Sequence, residues 1–343
     1  MPQRVSGSAA MRGAVQGRGK RRRPVPAGRM IQQTPGTAPQ TRTPYFAGVR
    51  MPEPTPMTTD KIERAARKLA ECRPAYATML AFYADVFCAQ EKSKGDLDLE
   101  PVHLAPNTVA ARQHDGQPLV DIAALRVDTA SAERLVREIC RLIAVHQTQI
   151  QDAAERLLIA FDQRDLDPEH LFRHLVSGDD GDLPATADRI GIDRKALAFI
   201  CYHGIQPSIE SCATQLAHHL DPDDVRRQSG CPVCGSAPGI ALLGHEGRRV
   251  LCCSLCRHHW RAPRVFCALC ENTRPGQMHY LFAEDEKDLR VDVCDHCRQY
   301  LKSVDTRDLA RPVFPPLEQV ASLHLDMIAT EKGYTSGIDI GLD

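Results

Sequence analysis

Long apolar runs are missing. No stretch of eighteen apolar residues occurs in the 343-residue sequence, so no conventional membrane-spanning helix is expected. Net charge is nearly absent too: 43 Lys and Arg stand against 44 Asp and Glu, giving −1, which argues against a polycation seeking nucleic acid along its whole length. No apolar stretch follows the early arginines. Arg21-Arg22-Arg23 suggests a twin-arginine export signal, but Pro24 and Pro26 follow in place of an apolar region, so a cytoplasmic chain is expected. No catalytic triad, Walker loop or paired-carboxylate motif stands out, so the chain is not expected to be an enzyme.

What is present divides by composition. Residues 1–58 carry ten Arg or Lys against one acid, Glu53, with no apolar periodicity to offset ordering entropy. They read as a disordered basic extension, or as sequence ahead of a true start at Met30 or Met51. Residues 59–225 read as a helical domain. Thr59 or Asp60 suits the cap of a helix with Ile62, Ala65, Ala66 and Leu69 on one face, which Pro74 interrupts. Met79, Leu80, Tyr83, Val86 and Phe87 mark a second helix. Ser131 to Phe161 reads as one long helix, with Ser131 and Glu133 in its first turn. Gly178 to Gly181 reads as a solvated turn, and Asp193 as the cap of a last helix. About five to seven helices packed as a bundle is the simplest arrangement.

The pattern changes near Ser229. Residues 239–243 and 248–252 flank His245-Glu246-Gly247 as a hairpin, and 278–282 and 289–293 alternate as strands around the acidic turn Glu284 to Asp288. A final helix is expected from Pro316 to Lys332. The fold class is therefore a helical bundle domain (59–225), two small β knuckle modules (226–265 and 266–311), and a C-terminal helix and tail (312–343).

Fourteen cysteines could mean disulfides, but disulfide-dense scaffolds are usually small and secreted. Eight of these cysteines form four C-x-x-C pairs: Cys231/Cys234, Cys253/Cys256, Cys267/Cys270 and Cys294/Cys297. Two thiolates separated by two residues suit a tight turn that aims both sulfurs at one tetrahedral ion. Successive pairing places Cys231, Cys234, Cys253 and Cys256 on one ion, and Cys267, Cys270, Cys294 and Cys297 on a second. Each intervening hairpin then closes its own loop. A cross-braced pairing of alternate knuckles stays open. Gly235 after the first knuckle can take positive φ, whereas Arg257, Glu271 and Arg298 hold the equivalent places less ideally. Cys252 competes with Cys253, but its distance to Cys256 is one residue too long. His258, His259, His279 and His296 are unneeded once four sulfurs are present. Cys72, Cys88, Cys140, Cys201 and Cys212 read as small buried apolar residues, and Trp260 as packing over the first site. Four thiolates suit zinc, which would be structural, or a single iron, which would be redox-capable.

Cys231-Pro-Val-Cys-Gly-Ser-Ala-Pro238, Arg249-Val-Leu-Cys-Cys-Ser-Leu-Cys256, Trp260 and Arg264-Val-Phe-Cys-Ala-Leu-Cys270 resemble the formate dehydrogenase accessory protein family, FdhE. So do His279-Tyr280, Cys294-Asp-His-Cys297, Tyr300-Leu301-Lys302 and Glu331-Lys-Gly-Tyr334; Ala77 to Glu91 and Pro118-Leu-Val-Asp121 look similar more weakly. The resemblance implies rubredoxin-like metal knuckles on the eight paired cysteines. It also implies a cytoplasmic assembly factor that binds the catalytic subunit of a respiratory formate dehydrogenase and is needed for its activity without being a dehydrogenase. A homodimer is left open. Two other functions compete. One is a nucleic-acid-binding zinc ribbon, which the 14 basic and ten acidic residues of 226–311 do not favour, since no clean electrostatic stripe forms. The other is an iron-dependent redox donor to a client enzyme.

Overall fold

A computed structural model describes residues 30–33, 57–177, 182–283 and 286–338. The expected turn at 178–181, the acids Glu284 and Asp285, and residues 1–29 and 34–56 lie outside the described residues. Within the N-terminal extension, β1 (Met30–Gln33) pairs antiparallel with a later strand. The expectation of no structure across 1–58 therefore fails at these four residues.

Eight helices precede the cysteine region among the described residues, more than the five to seven expected. They are α1 (Thr59–Cys72), α2 (Ala77–Ser93), α3 (Pro106–His114), α4 (Thr129–Val145), α5 (Gln151–Asp162), α6 (Pro168–Ser177), α7 (Asp182–Ile190) and α8 (Arg194–Ala217). The stripe of α1 is as expected: Ile62, Ala65, Ala66 and Leu69 are all buried. Its cap residue is Thr58 rather than Thr59 or Asp60, with no side-chain bond. The single helix expected over 131–161 is two. After Val145 the chain turns through Gln147 in the left-handed region (φ 50°) before α5 begins. The N-cap of α4 is Asp128, whose carboxylate accepts from Ser131 N–H at 2.9 Å; a short acceptor at the cap satisfies a donor that the helix leaves free. Asp193 caps α8 in the same way, through Ala196 N–H at 3.0 Å.

Pro207 lies inside α8 and offers no N–H to the carbonyl of His203. The side-chain amide of Gln90 on α2 donates to that carbonyl instead, at 2.8 Å. A helix fault thus becomes a bond between helices. Around it, Val136, Ile139 and Ile143 of α4 pack with Leu197, Ile200 and Ile205 of α8 in the main apolar cluster.

The remaining strands are β2 (Pro238–Leu243), β3 (Arg249–Cys253), β4 (His259–Ala262), β5 (Met278–Ala283), β6 (Leu289–Cys294), β7 (Gln299–Asp305) and β8 (Thr335–Ser336). The two expected hairpins are present, but they do not form separate modules. All the strands belong to one sheet of order β1-β5-β6-β7-β2-β3-β4, with β8 added beside β7. The join is a parallel pairing of β2 with β7, Ala241 opposite Ser303 and Leu243 opposite Asp305. Ile240 and Cys252 from one hairpin, Leu289 and Val291 from the other, and Val304 of β7 share an apolar cluster.

The final helix is also broken, into α9 (Pro315–Val320) and α10 (Leu323–Glu331). Between them Ser322 Oγ donates to the Glu318 carbonyl at 2.6 Å. α9 returns to the start of the chain: Phe314, Leu317, Val320 and Ala321 pack with Ile62, Ala65, Leu69, Leu80 and Phe87. Asp288 on the β5–β6 turn holds Arg73 at 2.8 Å and Arg311 at 3.1 Å, and Arg311 also grips the fully buried Glu318.

Candidate metal centres

The eight cysteines expected as ligands come together in two groups of four, and the pairing is successive. Cys231, Cys234, Cys253 and Cys256 form site one; Cys267, Cys270, Cys294 and Cys297 form site two, all sulfurs of a group lying within 4.8 Å of one another. In site one the Sγ separations include 3.6 Å for Cys231–Cys256, 3.6 Å for Cys234–Cys253 and 3.5 Å for Cys234–Cys256. In site two, Cys267–Cys297 and Cys270–Cys294 are each 3.8 Å apart. Sulfurs about 2.3 Å from one tetrahedral ion sit about 3.8 Å from each other, whereas a disulfide needs about 2.05 Å. The donor set therefore fits one tetrahedral ion per cluster, and no cystine.

Four thiolates so close cannot coexist without a cation. In site one, burial first, then the neighbouring sulfurs, push the Cys231 thiol well up. The neighbouring sulfurs, then burial, do the same to Cys256. The neighbouring sulfurs pull Cys234 the other way, well down. Sulfurs packed this closely disfavour more than one negative charge among them. A divalent ion removes that constraint by drawing all four into the anionic form.

Each knuckle is a turn closed by backbone hydrogen bonds. Gly235 N–H donates to the Cys231 carbonyl at 2.8 Å, Glu271 N–H to Cys267 at 2.9 Å, and Arg298 N–H to Cys294 at 2.8 Å. Amides also point at sulfur, as Val233 N–H does at Cys231 and Leu255 N–H at Cys253, each 3.4 Å. The residue after the second cysteine takes positive φ in all four turns: Gly235 at 80°, Arg257 at 56°, Glu271 at 63° and Arg298 at 59°. Three of these positions hold a side chain in a region costing about 1–2 kcal/mol for an L-residue. The expectation that they are less ideal is correct for the backbone, but all three side chains find partners; Glu271 Oε1 accepts from Ser229 N–H at 2.7 Å and from its hydroxyl at 3.0 Å. Arg257 donates to Glu210 at 3.1 Å and Gln90 at 2.8 Å, with its guanidinium 5.2 Å from the Phe87 ring centre. Arg298 lies 4.1 Å over the Tyr334 ring.

The competing side chains fall elsewhere. Cys252 and Cys253 are neighbours on β3, so they point to opposite faces. Cys253 faces the main cluster, and Cys252 faces the apolar cluster of the sheet. Among the described residues no histidine joins either group of sulfurs. His258 stacks parallel to Trp260, centroids 6.5 Å apart, and Trp260 is buried in the same apolar cluster as the four sulfurs of site one. His279 pairs with Asp295 at 2.8 Å. Cys88, Cys140, Cys201 and Cys212 are buried as expected, but Cys72 is exposed at the last position of α1.

The residues that sequence reasoning passed over hold the knuckles from outside. Leu119 and Val120 N–H groups donate to the carbonyls of Pro232 and Val233 at 2.9 and 3.0 Å, pinning the first knuckle to the helical domain. Gln206 of α8 donates to the Leu255 carbonyl at 2.9 Å, inside the second. Asn272, nearly buried, donates toward Cys294 Sγ at 3.7 Å. The one available signal was a charged residue where a knuckle wants glycine, since Arg257 and Arg298 both have outside partners.

Residues 265–338 match the FdhE C-terminal domain. The chain is 34% identical over 108 residues to the Protein FdhE homolog of Aquifex aeolicus, covering 30% of this chain and 38% of that protein. It is 33% identical over 132 residues to the Haemophilus ducreyi homolog, covering 37% of this chain and 42% of that one. The matched stretch thus spans about two fifths of these relatives' own length. The crystal structure of the FdhE protein from Pseudomonas aeruginosa superimposes with a TM-score of 0.58 at 23% identity, over 83% of this chain and 96% of that one, which is a shared fold. Residues 265–338 thus match the FdhE C-terminal domain, on a chain that shares the fold of an FdhE protein and carries two four-cysteine clusters on one sheet.

Proposed function

We propose that this protein is a non-catalytic accessory factor for formate dehydrogenase. It binds the catalytic subunit of that enzyme in the cytoplasm and is needed to bring it to activity. Each four-cysteine cluster, on the eight residues named above, holds one iron or zinc ion. The observation that carries the reading is the convergence of both clusters on a single sheet in a chain whose residues 265–338 match the FdhE C-terminal domain. No helix among the described residues is long and apolar enough to cross a membrane, which is compatible with a factor acting before export.

Affinity capture of the tagged full-length chain from its own host tests the partner. The catalytic subunit of a formate dehydrogenase is expected with the unaltered chain, and less of it with Cys270→Ser, which leaves site one intact. Recovery of ribosomal or nucleic-acid partners alone would count against the reading. Elemental analysis of protein purified without air tests the ions: about two per chain are expected. Stoichiometric zinc with no visible chromophore would remove the redox role.

A further inference from the structure

The two clusters differ in what covers them. In site one all four cysteines are at most 2% exposed. In site two Cys267 and Cys294 are buried, but Cys270 and Cys297 are part-exposed. The helical domain closes over site one through Leu119, Val120, Gln206 and Arg257. Site two is crossed by the tail of the chain instead.

That crossing is specific. Thr335 N–H donates to the Arg298 carbonyl at 2.9 Å, and Thr335 and Ser336 run parallel to Gln299 and Tyr300. The Tyr334 hydroxyl donates to Asp295 at 2.6 Å, inside the Cys294–Cys297 turn, while its ring lies beneath Arg298. At the other knuckle, a Cβ on Gly337 would fall 2.4 Å from Leu269 Cδ2, so the bare backbone packs against the Cys267–Cys270 turn. The four-residue segment from Tyr334 to Gly337 therefore touches one half of site two at its start and the other at its end. Of its residues only Tyr334 is buried, while Thr335 and Ser336 are exposed and held by a two-residue strand. A segment so lightly anchored opens at little cost compared with the core.

We propose that Tyr334–Gly337 is a strap across site two that sets how fast that site's ion exchanges with solution, a deepening that rests on each cluster holding an ion. Exchange needs an incoming ligand to displace one cysteine thiolate from the ion, with no electron transferred. Cys270 and Cys297 are the sulfurs such a ligand reaches. The strap ties their turns together and covers the approach. Site one, sealed by helices, exchanges only when the domain opens.

The test is zinc release from the full-length, zinc-loaded chain into excess 4-(2-pyridylazo)resorcinol. Two phases of one ion each are expected, the faster one missing from Cys270→Ser. Gly337→Val, and a chain ended at Lys332, should speed the fast phase about tenfold or more and leave the slow phase unchanged. Tyr334→Phe, which loses only the bond to Asp295, should have a smaller effect in the same direction. Far-UV circular dichroism confirms that each variant is folded, and Gly337→Val keeps the test decisive should the shortened chain not be. Variants that hold two ions and release them as the unaltered chain does would overturn the strap alone. Release of both ions in one phase would overturn it too. A chain that binds no zinc at all would overturn the two-ion reading beneath it.

Discussion

Site one and site two use the same four-sulfur chemistry, yet one is core and the other is edge. Site one sits where the sheet meets the helical domain, and its cysteines share an apolar cluster with Leu135, Ile139 and Leu197. Site two lies along β6 and β7, with two of its sulfurs part-exposed and a short tail in place of a domain above it. The difference teaches that an identical ligand set takes different roles according to what packs on it. An ion in site one would tie two parts of the fold together. An ion in site two would organise one end of the sheet.

The sharpest way to break this contrast is to remove one ligand from each site. Cys231→Ser leaves three buried sulfurs and destabilises the join of sheet and helices. A structural ion of this kind supplies on the order of 10 kcal/mol, so loss of cooperative thermal unfolding is expected. Cys270→Ser should keep the helical signal and a cooperative transition at a modestly lower temperature. Equal losses in both variants would erase the distinction. Arg257→Ala comes next. It deletes the link from the second knuckle to Glu210 and Gln90, and Glu210, also held by Lys94 at 2.8 Å, keeps one partner. A loss of about 2 kcal/mol in denaturant unfolding is expected. Gly235→Ala forces a side chain into φ 80°, with Pro118 only 3.3 Å from the new Cβ, and should cost about 1–2 kcal/mol by the same measurement.

The smallest effect concerns protons. His203 lies part-buried between the helices, beside Tyr83, Phe87 and Phe199. Its Nδ1 lies 3.0 Å from Gln90 Nε2, and the Gln90 oxygen is committed to Arg257, so the amide donates and the ring accepts as the neutral form. Burial, then the Arg257 charge, lowers His203 from 6.5 to about 3. The unfolded chain therefore takes up this proton first. The stability it governs is complete above the unfolded value and falls as pH drops from 6.5 toward 3. His203→Gln should flatten the fall of melting temperature over that window, and an unchanged slope would place the acid sensitivity elsewhere.

Much of the site was legible because its information is local. Two residues between cysteines dictate a knuckle, and hairpin-length gaps bring successive knuckles together. The stripe of α1 and the cap at Asp193 are legible for the same reason, being written within one or two turns of chain. Breaks in long helices were not. Nothing periodic marks the turn at Gln147, and Ser322 parts α9 from α10 while apolar residues continue on both sides. The roles of Arg257 and Tyr334 were hidden as well, since their partners lie 47 and 39 residues away in sequence.

The sequence by itself determined the chemistry: eight paired thiols in turns, enough for two tetrahedral ions, and strands of the right length to carry them. Only tertiary structure decided that the two knuckle pairs share a sheet through the parallel contact of β2 and β7, and that helices seal one cluster while a tail crosses the other. Ligand spacing is a property of neighbouring residues. Burial is a property of whatever distant surface arrives to cover them, and no short window of sequence contains that.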